Sequence, residues 1–504
     1  LHAAQPEPPL EASPYLPTSR RYVNPLYIRP ELIPEFAELD EKSRARIAHL
    51  KSRLRKDLAG ESLICRNEVW EAKIEALRVI YEHGLRPVRR MAFNDFWRRE
   101  GRSLTQFATW SALVTRFGGD WREWPAELRR PSSPTVALFA QQHVDQIIFY
   151  AWLQWVADNQ LRAAQSAATD AGMRIGIMND LAVGVSPWSA EAWTFGNLFA
   201  DGIGVGAPPD PFNQAGQDWG QAPWRPDRLD DLSYAPFRNM VAGILRHSGG
   251  IRVDHIIGLF RLWWIPKGLG PGQGAYVRYN HEAMVGILAL EAHRAGALVV
   301  GEDLGVVEPW VRTYLRDRGI LGTSIAWFER DGDGRPLAPE QWREYCLASV
   351  TTHDLPPTAG YLAGDHIRLQ HELGLLTESL ETELAAAEHD RATYLQTLRE
   401  RGFLTADPAT TEDIVQALHR YLVATPSRVL CASLTDAVGD RRTQNQPGTS
   451  TEYPNWRIPL SGPDGRPMSL EQLYTDERAF RLAGIMNDFS GPILLPRSET
   501  ELVV

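Results

Sequence analysis

The chain has 504 residues, 43% hydrophobic and 23% charged, with a formal net charge of −10, an ordinary soluble balance without the basic footprint that a nucleic-acid partner requires. No run of about eighteen apolar residues occurs, so no membrane-spanning helix is expected. Cys65, Cys346 and Cys431 are far apart and odd in number, which excludes a zinc spacing or disulfide framework and suits a reducing cytoplasm.

Residues 1–30 are rich in proline and aromatics and read as an irregular loop. From 31 to 135 the pattern is helical: ELDEKSRARIAHLKSRLRKDL and RNEVWEAKIEALRVIYEHG repeat apolar residues every three or four positions. That region reads as a helical insertion, closed by the linker WREWPAELRRPSSPT. Beyond 136 the pattern changes. A long helix over 144–172 leads into MRIGIMNDLAVGV, and IRVDHII, ALVVGEDL, TSIAWFER, LASVTTHD and SRVLCASLTD follow as strand-like runs separated mostly by helical segments. A second helical insertion spans about 371–425. Strand–helix alternation predicts an α/β protein with a parallel sheet.

Each strand-like run ends on polar residues: Asp180, Asp254 with His255, Glu302 with Asp303, Glu329, His353 with Asp354, and Asp436. A (β/α)8 barrel builds its site from the carboxyl ends of several strands. An open doubly wound sheet places its ligand at one switch point, usually beside a glycine-rich loop, and no such loop follows any strand here. A TIM-type (β/α)8 barrel over 136–504 is the better reading. Asp254, Glu302 and Asp354, without His/Cys metal spacing, suit glycosidic-bond chemistry, in which one carboxylate attacks and another protonates the leaving oxygen. A single strand-end aspartate is as well explained by a loop cap or surface ion pair, and a Mg or Ca site from the same acids stays open. The 17 Trp and 15 Tyr suit sugar faces, but most such rings fill cores.

GIRVDH (250–255), VVGEDLG, TTHDLP, GAPPDPFNQAGQDWG (206–220), GAYVRY (274–279) and NQPGTSTEYPNWRIPL (445–460) together resemble the amylomaltases, the 4-α-glucanotransferases of glycoside hydrolase family 77. The resemblance covers nearly the whole chain. It implies a retaining transferase acting on α-1,4-glucans and maltooligosaccharides, with no cofactor, no metal, and no nucleic-acid or membrane partner; oligomeric state stays open. Position by position, it makes Asp254 the nucleophile, Glu302 the general acid/base and Asp354 a third acid that holds sugar hydroxyls. Arg252 would keep the nucleophile ionised, with a plain buried ion-pair partner as the less favoured alternative. His255 and His353 would contact substrate hydroxyls, and Asp180 would lie near the reacting sugar or cap a helix. Gln217 and Asn445 are further substrate-binding candidates. Trp219, on a loop over the cleft, and Phe328 would stack on glucan, with a core contact as the alternative for each.

Two departures from the family pattern stand out. Trp188-Ser189-Ala190-Glu191 occupies the place of an Asp-Ser-Ala-Asp/Glu motif, and Asn24-Pro25-Leu26-Tyr27 inverts the usual Asn-Pro-Tyr-Leu. Leu1-His2-Ala3 resembles the residues after a second barrel strand, so the first two strands are expected upstream of Leu1. An α-amylase-like hydrolase and a non-catalytic glucan-binding protein are the competing readings, and three acids exceed what binding alone requires.

Overall fold

A computed structural model describes residues 1–58, 61–209 and 216–488. The chain forms a mixed α/β protein of two units. The first takes residues up to Glu61 and Cys65–Glu302, and the second takes Ser62–Ile64 with the described residues from Asp303 onward.

In the first unit the strands are β1 (His2–Ala3), β2 (Ser19–Val23), β3 (Met178–Leu181), β4 (Ile203–Ala207), β5 (Gln217–Gln221), β6 (Gly250–Val253), β7 (Arg261–Pro266), β8 (Ala275–Arg278) and β9 (Leu298–Gly301). β1 and β2 pair antiparallel, His2 opposite Val23 and Ala3 opposite Ser19, where an irregular loop was expected. A two-residue strand has no periodicity to read, and its pairing is made at a distance along the chain. The helices Glu41–Asp57, Arg66–His83, Pro87–Phe117 and Val144–Asp170 arise as their patterns predict. Asp40 caps the first by accepting the Ser43 N–H at 2.7 Å, satisfying one of the amides a helix start leaves open. Their apolar faces meet in one core containing Leu77, Trp110, Phe149 and Trp152, all fully buried.

The first unit has two sheets besides the β1–β2 pair. One is parallel, in the order β3–β6–β9; the other is antiparallel, in the order β5–β4–β7–β8. The antiparallel sheet is absent from the sequence reading, which took 206–220 as a loop. Residues 210–215 of that loop, Asp-Pro-Phe-Asn-Gln-Ala, lie outside the described residues. Its flanks 203–207 and 217–221 pair as strands.

The second unit carries β10 (Gly322–Ile325), β11 (Cys346–Ser349) and β12 (Val429–Cys431), parallel and in sequence order. The helices Leu380–Glu400 and Thr411–Val423 cover them, and Tyr394, Leu398, Leu418 and Leu422 pack with Trp327 and Ala348. All six runs read as parallel strands are parallel strands. Among the described residues they form two three-stranded sheets, and no closed ladder of eight is present. Two supposed strand ends need correction. Glu329 follows a helical turn over Ala326–Phe328, and Asp436 lies inside the helix Leu434–Val438. Polar residues after a strand do not reveal whether the chain first turns into a helix.

Candidate active site

In the first unit Asp180, Arg252, Asp254, His255 and Glu302 stand at the carboxyl ends of β3, β6 and β9, while Gln217 and Trp219 lie on β5. Register pairs Asp180 with Arg252 and Leu181 with Val253, and Arg252 with Val300 and Val253 with Gly301. The ladder runs one residue further: Asp254 N–H donates to Leu181 O and Glu302 N–H to Val253 O, both at 3.0 Å. Asp254 and Glu302 are therefore direct neighbours on adjacent strands. Alternation then puts Asp180, Arg252, Asp254 and Glu302 on one face.

Arg252 is the hub of that face. Its Nη1 donates to both carboxylate oxygens of Asp180 at 2.8 Å, and its Nη2 lies 3.1 Å from Asp254 Oδ1. Burial works against the guanidinium charge, but Asp180 and then Asp254 outweigh it and hold the group well above its ordinary range. Asp180 thus caps no helix; it anchors Arg252. The Tyr15 hydroxyl also donates to Asp180, at 2.7 Å. Burial, followed by the charges of Asp180 and Asp254, pushes this phenol up well above its usual range. Sequence reasoning missed Tyr15, whose partner is 165 positions away; the Ser-Pro-Tyr triplet was the one local signal.

His255 has a left-handed backbone, φ 45°, a conformation that non-glycine residues adopt sparingly and often at functional sites. The turn aims its N–H at Glu302 Oε2, 3.1 Å away. Burial and then Arg261 push its imidazole down to about 4, so the ring is neutral at physiological pH. The Trp219 ring meets it edge-on with centroids 5.1 Å apart, and Trp219 Nε1 donates to Gln217 Oε1 at 3.1 Å.

In the second unit, Asp354 accepts a 2.7 Å hydrogen bond from Asn445 Nδ2, and His353 Nε2 lies 3.3 Å from Asp354 Oδ2. The Trp456 ring packs at 5.3 Å from that of His353. These contacts join two of the sequence motifs, TTHDLP and NQPGTSTEYPNW. Phe328 is 41% exposed, open enough to meet a ligand. Asp303 is buried between Arg343 and Arg312 and accepts the Thr323 N–H, a structural role. Glu191, of the divergent Trp-Ser-Ala-Glu stretch, pairs with buried Arg20 at 3.4 Å. Among the described residues no group of three or more His, Cys, Asp or Glu is arranged to hold a metal ion, and no helix is long and apolar enough to cross a membrane.

The 4-alpha-glucanotransferase of Mycobacterium tuberculosis (strain ATCC 25618 / H37Rv) is 57% identical over 495 residues, covering 96% of this chain and 68% of that protein. The Haemophilus influenzae 4-alpha-glucanotransferase is 31% identical over 507 residues, covering 94% and 71%. The crystal structure of amylomaltase from Corynebacterium glutamicum superposes with a TM-score of 0.88 at 45% identity, covering 96% of this chain and 69% of that one. The Streptococcus agalactiae amylomaltase in complex with acarbose shares the fold, with a TM-score of 0.74 at 20% identity over 95% of this chain and 89% of that one. The glycoside hydrolase family 77 model, described as 4-alpha-glucanotransferase, matches residues 1–464, and the chain belongs to that family.

Proposed function

We propose that this chain is a 4-α-glucanotransferase that cuts α-1,4-glucans and maltooligosaccharides and passes the glycosyl unit to the 4-hydroxyl of another glucan or of glucose. The supporting observation is the in-register neighbourhood of Asp254 and Glu302. Adjacent strands run about 4.8 Å apart, which suits the roughly 5–5.5 Å carboxyl separation of retaining enzymes. Asp254 attacks the anomeric carbon; the C1–O4 bond breaks and Glu302 gives its proton to the departing O4. In the second half, Glu302 takes the proton of the acceptor hydroxyl as that oxygen attacks C1 and releases Asp254. Arg252, fixed by Asp180 and Tyr15, holds the nucleophile ionised and aimed. His255, held neutral, and His353 exchange hydrogen bonds with sugar hydroxyls, and Asp354, oriented by Asn445, serves as the third acid.

Trp219 and Gln217 contribute to glucan binding on the donor side, and Phe328 offers an acceptor platform. An apolar cover of this kind favours a sugar acceptor over water. The six parallel strands belong to a (β/α)8 barrel, and the enzyme works in the cytoplasm on glucan pools. Incubation with pure maltotriose tests the activity: transfer yields glucose and a ladder of longer chains. Glucose and maltose alone would indicate a hydrolase, and an unchanged substrate a binding protein. Asp254→Ala and Glu302→Ala should each abolish turnover while glucan binding persists.

A further inference from the structure

We propose that Asp436 is a positioning residue for Asp354, clasping the loop after β11 to the chain that follows β12; the proposal rests on the reading of Asp354 as the third acid. Asp436 is buried, 5% exposed, and a buried carboxylate is costly unless its oxygens are hydrogen-bonded. Both are used by one residue. Thr358 donates its N–H to Oδ1 at 2.8 Å and its hydroxyl to Oδ2 at 2.6 Å. His419 Nε2 stands 3.9 Å from Oδ2, while its Nδ1 bonds to Val415 O at 2.8 Å.

Thr358 opens the short helix Thr358–Leu362, four residues beyond Asp354. The loop before it is cinched on itself, because the Thr351 hydroxyl donates to Pro356 O at 2.8 Å. Little slack separates Thr358 from Asp354. A second contact lies two residues on: a Cβ at Gly360 would come within 2.2 Å of Arg441 O, so the helix backbone touches the Arg441 peptide directly. The Arg441 guanidinium also binds Asp365 at 2.8 and 2.9 Å. From Arg441 the chain runs four residues to Asn445, which closes the circuit on Asp354. The two segments are thus fastened at Thr358–Asp436, at Gly360–Arg441 and at Asp354–Asn445. A reacting group displaced by about 1 Å can lose two orders of magnitude in rate, so release of the first fastening reaches the third.

The test uses the full chain and maltotriose disproportionation. Asp436→Ala should lower kcat about ten- to hundredfold with KM within about twofold, while circular dichroism and the melting curve show a folded protein at assay temperature. Asp436→Asn should restore most of kcat, since its amide can accept the Thr358 N–H and donate to the hydroxyl. Asn445→Ala removes the other support of Asp354, so the double variant should lose less than the product of the single losses. Thr358→Val, which keeps the volume and drops one bond, serves if Asp436→Ala does not fold, and should show the same coupling. Losses that multiply, or a kcat that falls only with the folded fraction, would overturn the proposal. Asp354→Asn separates the two failures: an inactive Asp354→Asn beside a fully active Asp436→Ala sinks the clasp alone, whereas an active Asp354→Asn removes the third-acid role and the clasp with it.

Discussion

Arg252 and Asp254 lie two positions apart on one strand and hence on one face, and the guanidinium spans Asp180 and Asp254 with separate nitrogens. A lysine keeps the charge but cannot reach both carboxylates in fixed planar geometry. Arg252→Lys is expected to lower kcat/KM for maltotriose about a hundredfold or more, ~2.7 kcal/mol of transition-state stabilisation; a loss under threefold would reduce the guanidinium to a space-filler. His255 supplies a pH prediction. Its imidazole titrates at about 4 in the folded protein and near 6.5 in the unfolded chain. The unfolded state therefore takes up a proton first as pH falls. The stability tied to a neutral His255 is complete above pH about 6.5 and lost progressively towards about 4. The urea midpoint should drop between pH 7 and pH 5, and His255→Gln should flatten part of that slope.

The β4–β5 pair shows why a glycine-rich stretch read as loop becomes sheet. A Cβ at Gly206 would lie 1.9 Å from Gln217 O, so only glycine lets the two strands approach and bring Trp219 onto His255. Trp219→Ala removes the apolar cover and should lower transfer severalfold more than hydrolysis, measured as the ratio of longer maltooligosaccharides to net reducing ends released; proportional losses would make Trp219 a general binding residue. The contact between β2 and the helix Ala190–Phe195 predicts stability instead. Arg20 and Glu191 are both buried, and Arg20 also stacks on the Trp224 ring at 4.4 Å. Glu191→Ala leaves a buried cation without its partner, a loss of about 3–5 kcal/mol, to be read as a lowered denaturant midpoint.

In each unit taken by itself the candidate acids follow parallel strands, Asp254 after β6, Glu302 after β9 and Asp354 after β11. Cys346, at the start of β11, is fully buried; burial pushes its thiol up, and its Sγ contacts Ser427 Oγ at 3.3 Å. Cys431, at the far end of β12, is exposed. A thiol reagent should label Cys431 in the native protein and reach Cys346 only on unfolding. Cys346→Ala should lower the melting temperature without changing KM or kcat below it.

Much of this was readable along the chain because it is local. Helical periodicity located Val144–Asp170 and Thr411–Val423, and short strand-like runs between helical segments located all six parallel strands, since spacing within one element depends on which face it buries. The short motifs around Asp254 and Glu302 were legible for the same reason: each acid is the residue directly after its strand. What stayed hidden was set by distant partners. The Tyr15 hydroxyl on Asp180, the anchoring of Arg252 by that aspartate, the antiparallel sheet built around Gly206, and the capture of Thr358 by Asp436 each join residues separated by tens to hundreds of positions. Folding brings such groups together when it buries the apolar faces, and a buried charge then takes the hydrogen-bonding partners that the packed neighbourhood supplies. Residue type and spacing reveal which groups need partners; packing selects which ones they receive.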